Sequence, residues 1–262
     1  MRLLPLLALF LVAAIALVPR VEAAPATALR LMTYNLDYAN RDVDATLDAI
    51  ASGDADVILL QEVSAEWRDA LERRFAARYP HRSYRVHQRM AGGLAILSTL
   101  PIEREDVWAP PAGTGAWFPA ARVIVTTPFG PLQLVNVHLR PALDAGSWLR
   151  GFLTTPPLRR AEIESHWRHI DYALPTIVAG DFNEDPTGLA IGYLEQHGMQ
   201  RVPTHGPRTW HYATSVGGVT TDLIKMDIDH VLIDSHLVAG DARVLDAGTS
   251  DHRPIVVTIA PR

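Results

Sequence analysis

Carboxylate, amide and imidazole side chains recur in this sequence where apolar runs stop. Leu31-Met32-Thr33-Tyr34 leads into Asn35, Val57-Ile58-Leu59-Leu60 into Gln61 and Glu62, and Leu134-Val135-Asn136-Val137 into His138. Thr176-Ile177-Val178-Ala179 passes through Gly180 into Asp181 and Asn183. Asp229 and His230 lie inside a late apolar run, and Asp251 and His252 stand just before another at residues 255–259. Each of these residues alone has a plain structural reading: a turn asparagine, a solvated glutamate, a core histidine. Together they bring oxygen or imidazole groups to the margins of separate apolar elements. If those margins meet at one edge, they make an acidic pocket holding two or three histidines. Such oxygen donors, in a chain without cysteine, suit a hard cation, Mg2+ before Zn2+. Imidazoles beside that cation suit proton transfer and contact with an anionic substrate.

The elements that must position these residues are legible in the spacing. Residues 29–34, 57–60, 94–97 and 176–179 read as strands, and continuous apolar runs such as 57–60 fit central strands covered on both faces. Residues 122–126 and 132–137 flank Pro128-Phe129-Gly130-Pro131 as a hairpin, and 228–233 and 255–259 are late strands. Helical spacing joins Val43, Leu47 and Ile50, then Trp67, Ala70, Leu71 and Phe75 behind a Ser64 cap. A third stripe is Ile163, Trp167, Ile170 and Leu174. A further helix is expected from Pro186, capped by Asp185 and ended by Gly198. Strands and helices mixed along one chain, with a hairpin, predict an α/β sandwich with mixed sheets.

The chain has 262 residues and a formal charge of −5. Arg2, the apolar stretch 3–18 and Val21-Glu22-Ala23 read as a secretory signal peptide over residues 1–23, cleaved before Ala24. Residues 24–262 then form one domain, exported to the periplasm or medium. With no cysteine there is neither a disulfide nor a lipid-modified cysteine, so the fold stands on its core. The acidic balance argues against a tight non-specific nucleic-acid binder, although a local patch can still be positive. Two long connections, 108–119 and 140–157, carry tryptophan, and long loops in compact domains are often functional. In the second, Trp148 and Phe152 beside Arg140 and Arg150 could stack on bases, enter a lipid interface, or cap the core.

The motifs "TYNLD", "ADVILLQEV", "GLAILS", "VNVHLRP", "VAGDFNEDP", "MDIDHVLID" and "SDHRPIVV" follow one another as in the endonuclease/exonuclease/phosphatase superfamily, which the chain resembles from Thr33 to Val257. The resemblance implies a four-layer α/β sandwich: two mixed, mainly antiparallel β-sheets packed face to face with helices outside. It also implies divalent-metal-dependent phosphate-ester hydrolysis, with Mg2+ or alternatively Mn2+. Glu62 matches the main metal ligand, Asn35 its neighbour, and Asp251 a further contributor to the metal environment. Asp181 matches the residue at the attacking water, and Asn183 the one that positions water and phosphate. His252 matches the histidine at the scissile phosphate, Asp229 the carboxylate that orients it, and His138 a phosphate-contacting histidine. Arg122 is a candidate phosphate contact. His230 is expected to face away from Asp229, and Glu184, Asp185 and Asp227 to be solvated or capping. The expected function is an exported phosphodiesterase, monomeric and without an obligate protein partner. Nucleic acid comes first as substrate, because nucleases form a large branch of the resembling family. A phospholipid, as for sphingomyelinases, or a small ester is the alternative, and a non-catalytic binding protein on the same fold is the contrasting reading.

Overall fold

The apolar runs become the central strands of two sheets. The structure, a computed structural model, describes residues 28–86, 90–216 and 219–262. The expected signal segment and its cleavage site lie outside the described residues. In chain order the elements are β1 (Leu29–Asn35), α1 (Val43–Ser52), β2 (Val57–Gln61), α2 (Ala65–Phe75), β3 (His81–Arg85), β4 (Leu94–Ser98), β5 (Ile102–Trp108), β6 (Ala120–Thr127) and β7 (Gly130–His138). There follow α3 (Trp148–Thr154), α4 (Pro156–Trp167), β8 (Thr176–Asp181), α5 (Leu189–Gln196), β9 (Gln200–Arg201), β10 (Trp210–Val216), β11 (Val219–Met226), β12 (Asp229–Ile233), β13 (Leu237–Val244) and β14 (Ile255–Pro261).

One sheet has the order β13-β14-β1-β2-β4-β3 and the other β5-β6-β7-β8-β12-β9, while β10 and β11 form a separate hairpin. Side chains alternate along a strand, and both faces are used. Leu31, Leu59, Val123, Leu134, Ile177 and Val257 fill the space between the sheets. Met32, Ile58 and Leu60 face the other way, onto Leu47, Ile50 and Leu71 of α1 and α2. Val135, Val178 and Leu232 likewise pack under Ile163, Trp167 and Leu194 of α4 and α5 and the turn after α4. This is the four-layer sandwich, and double coverage is why strands such as β2 read as unbroken apolar runs.

Each sheet holds one parallel pair at its centre, β1 with β2 and β7 with β8, among antiparallel neighbours. Parallel strands finish at the same end. Asn35 therefore lies opposite Gln61, and His138 opposite Asp181. Antiparallel β12 starts where β8 finishes, which sets Asp229 opposite Asp181.

The structure departs from the sequence reading at the edges and helix ends. The charged, half-exposed strands β3 and β5 carry no apolar run, and ladder pairing rather than composition makes them strands. The third helical stripe ends at Trp167, and Ile170 is buried in the turn beyond it. The helix expected from Pro186 begins at Leu189 instead. Asp185 accepts the Thr187 N–H at 2.7 Å and closes a turn before it.

Candidate active site

All eight expected site residues converge at the sandwich edge where β1, β2, β7 and β8 end. Asn35 donates from Nδ2 to Glu62 Oε1 at 3.2 Å and to Asp181 Oδ2 at 3.0 Å, so its amide ties a carboxylate of one sheet to a carboxylate of the other. Its Oδ1 accepts the Asp37 N–H at 3.0 Å. Glu62 follows β2 with φ of 58°, and Tyr38 N–H holds its second oxygen at 3.0 Å. Asn183 has φ of 52°, donates its N–H to Asp181 Oδ1 at 2.8 Å and donates from Nδ2 to the Leu139 carbonyl at 3.0 Å. Non-glycine residues in this region cost about 1–3 kcal/mol each and persist where surrounding bonds over-determine them. Gly180 allows the approach of β7 to β8: a Cβ there would sit 2.0 Å from the Val137 carbonyl oxygen.

Beside this floor stands a buried acid–imidazole pair. His252 Nδ1 lies 2.8 Å from Asp229 Oδ2, and its Nε2 is 3.7 Å from Asp181 Oδ2 and 4.0 Å from Asp251 Oδ1. Burial alone would push the His252 pKa down, but the Asp229 and Asp181 carboxylates hold it well above the usual range. Burial raises Asp181 despite His252 nearby. His138 approaches from β7, with Nε2 3.5 Å from Asp181 Oδ2 and 3.8 Å from Glu62 Oε1. Its Nδ1 faces the Ala91 carbonyl at 3.1 Å, so that nitrogen carries the proton. Burial, with His252 nearby, pushes its pKa down to about 3, and Phe118 stacks on the ring at 4.3 Å.

The donor set fits a divalent cation. Glu62 Oε1 and Asp181 Oδ2 converge as carboxylate acceptors on the Asn35 amide, with His138 Nε2 3.8 and 3.5 Å from them. Burial pushes Glu62 up to about 7, against the pull of the Tyr38 N–H and His252. Among the described residues no arginine or lysine lines the pocket above it. Asp181, Asp229 and His252 also bring ligand atoms within 4.8 Å of one another. Asp229 and His252, however, are already bonded to each other, which leaves Glu62 the freer ligand.

That pocket has a volume of about 390 Å³. Its floor is polar and its walls are apolar: Trp117 and Phe118 from the loop after β5, Trp148 and Phe152 from α3, and Trp210 and Tyr212 from β10. Trp210 also donates to Asp251 Oδ2 at 2.9 Å. Arg140, one of the arginines of the 140–157 connection, is buried. It stacks on Trp117 at 3.5 Å and donates to the Gly115 and Leu143 carbonyls, fixing both loops as walls.

Some candidates fall elsewhere. Arg122 does not line the pocket; it is buried between Asp106, Gln133 and the His169 carbonyl, because its sheet face is covered by the turn after α4. His230 points away from the floor to the Glu184 carbonyl at 2.9 Å. Glu184 takes the capping alternative: it accepts the N–H groups of Ala190 and Ile191 at the start of α5 and pairs with buried Arg159. Asp227 pairs with Arg208 and accepts the Thr209 N–H. The sequence reading gave no role to Gln61 and Asn136, which join the sheets directly beneath the floor at 2.7 Å, nor to Trp117 and Trp210. Polar residues inside apolar strands were the available signal for the first two.

The model of the Endonuclease/Exonuclease/phosphatase family matches residues 32–252, and the chain belongs to that family. Among solved structures it is similar to an endonuclease/exonuclease/phosphatase family protein from Leptotrichia buccalis, at 17% identity and TM-score 0.65, over 88% of this chain and 99% of that one. Truncated TDP2 of Caenorhabditis elegans aligns at 17% identity and TM-score 0.64, over 89% and 98%. A family member from Bacteroides thetaiotaomicron aligns at 18% and 0.64, over 90% and 98%. No curated protein sequence matches the chain.

Proposed function

We propose that this protein is an exported, divalent-metal-dependent phosphodiesterase. The observation that carries the reading is the convergence of Glu62, Asn35, Asp181 and His138, beside the Asp229–His252 pair, at the floor of one pocket in a chain of this family. Glu62, Asn35 and Asp251 are the residues that would hold Mg2+ or Mn2+. Charge neutralisation at the phosphate is the chemistry a bound cation supplies there.

The chain's own residues supply the rest. Asp181 and Asn183 hold the attacking water; Asp181 takes its proton as the water oxygen joins phosphorus and the bond to the leaving oxygen breaks. His252, oriented by Asp229, presents Nε2 to the scissile phosphate and its developing charge. His138 enters neutral, and a bound phosphate favours a second proton on it, which makes its Nε2 a donor.

Among phosphate esters, nucleic acid is the substrate expected from the sequence. The pocket favours a second reading, an ester with an apolar portion, because its walls are aromatic and aliphatic and polyanion binding draws on lysine and arginine. The test is a panel of plasmid DNA, RNA, sphingomyelin and bis-p-nitrophenyl phosphate, each in Mg2+ and in EDTA, with wild type and Glu62→Gln. Hydrolysis that needs Mg2+ and drops at least about 100-fold in Glu62→Gln is expected. Full activity in chelator would end the metal reading. Recovery of the mature protein outside the cytoplasm, starting near Ala24, checks export.

A further inference from the structure

Twelve large apolar side chains are exposed among the described residues, and seven of them belong to α3 and the β10–β11 hairpin. On α3, Trp148 and Leu149 are 54% and 76% exposed, and Phe152 and Leu153, one turn on, are 43% and 78%. On the hairpin the exposed residues are Tyr212, Leu223 and Ile224, with Tyr212 paired across the ladder to Ile224. The two elements are far apart in sequence, yet they border the same opening. Trp148 and Phe152 line the pocket from one side, and Trp210, Tyr212 and Met226 from the other. Leu149 and Leu153 follow the pocket-lining Trp148 and Phe152 on α3, and Leu223 and Ile224 precede pocket-lining Met226 on β11. Core capping does not explain them, since none belongs to a core cluster.

We infer that α3 and the β10–β11 hairpin form a membrane-docking rim, which seats the pocket on a bilayer of zwitterionic phospholipid so that a phosphodiester headgroup reaches the polar floor. The inference rests on the phosphoesterase reading for what lies at that floor. Exposed apolar patches of this kind mark interaction or membrane surfaces, and amphipathic segments bearing Trp, Phe and Leu settle at the headgroup boundary. The pocket selects the partner. A protein covering the rim would close the mouth, whereas a bilayer supplies a ligand with an apolar end at the rim and a phosphate end at the floor. Charge selects the kind of bilayer. The chain carries −5, the pocket lining among the described residues has Glu62, Asp181 and Asp251 but no arginine or lysine, Arg150 of α3 is paired with Asp144, and the hairpin carries a single lysine, Lys225. A rim with so little basic charge gains little from anionic lipid, which basic segments attract.

The experiment is flotation of the full protein with vesicles of phosphocholine-headgroup lipid, and with vesicles containing anionic lipid, in EDTA so that binding is separate from turnover. The variants are Leu149→Ser/Leu153→Ser and Leu223→Ser/Ile224→Ser, all outside the pocket lining. Wild type is expected to float with zwitterionic vesicles without help from anionic lipid. Each double variant should lose about tenfold in partitioning, with its melting temperature retained and bis-p-nitrophenyl phosphate hydrolysis within about twofold of wild type. Should one double variant fail to fold, the other decides. Wild type that does not float, variants that float equally well, or a wild-type dimer that either variant disperses would each overturn the rim. Intact flotation without hydrolysis of any ester brings down the phosphoesterase reading and leaves the rim standing; hydrolysis without flotation does the reverse.

Discussion

Asp229 holds His252 through one oxygen only. Its Oδ2 meets Nδ1 at 2.8 Å, while its buried Oδ1 has no hydrogen-bond partner among the described residues. The ring is thereby fixed with Nε2 toward Asp181. An amide of the same shape cannot hold the carboxylate charge. Asp229→Asn is therefore expected to lower kcat by about 10²–10⁴-fold with a smaller change in KM, as for other positioned acid–base groups. The melting temperature should stay near wild type, since the substitution keeps the volume. Steady-state kinetics on a soluble diester together with a thermal melt check both halves. If kcat holds, the pair is structural.

At the scale of elements, the pocket walls depend on how α4 receives the two long loops. Glu162 of α4 accepts the Arg140 N–H at 2.8 Å, while Arg140 stacks on Trp117 and holds the Gly115 carbonyl. Burial pushes the Glu162 carboxyl up to about 7 from 4.5, against the pull of Arg159 and Arg140. A raised folded value means that the native state keeps a proton the unfolded chain has released. The stabilisation is fully present below about pH 4.5 and is lost as pH rises through about 7. Glu162→Gln removes that dependence. The melting-temperature difference between variant and wild type should be flat below about pH 4.5, then shift in favour of glutamine up to about pH 7. A pH series of thermal melts reads it directly, and a difference that stays constant with pH would show Glu162 ionised like a surface carboxylate.

At the scale of the whole molecule, two six-stranded sheets meet across an apolar core that is interrupted beneath the site. There Gln61 Nε2 donates to Asn136 Oδ1 at 2.7 Å, and Asn136 Nδ2 donates to the Leu60 and Ala95 carbonyls of the opposite sheet. The neighbours in sequence are Glu62 and, two residues on, His138, so this contact sets how the halves of the floor face each other. Gln61→Leu alone leaves buried Asn136 Oδ1 unpaired, which costs about 1–3 kcal/mol, and Asn136→Leu takes the shortest of three acceptors from Gln61 Nε2, which keeps Thr33 Oγ1 and the Leu59 carbonyl. The double variant should cost less than the sum, with a coupling of about 0.5–3 kcal/mol. Urea unfolding of the four proteins measures that coupling, and strict additivity would count against the cross-sheet tie.

The sequence by itself determined the doubly covered strands and the chemistry at their ends. An unbroken apolar run is what a strand with both faces buried requires, and a carboxylate or imidazole closing such a run stands out by its desolvation cost. Asn35, Glu62, His138, Asp181 and His252 were legible for that reason. Edge strands such as β3 and the β10–β11 hairpin were not, because pairing with a neighbour holds them and composition does not. The sequence also could not show that Arg122 turns to Asp106 or that Arg140 lies under Trp117. A guanidinium reads the same wherever its partners lie, and those partners come from distant segments. Only the tertiary structure decided that α3 and the hairpin border one opening. That outcome depends on where the two segments leave the sandwich, and no local pattern records it.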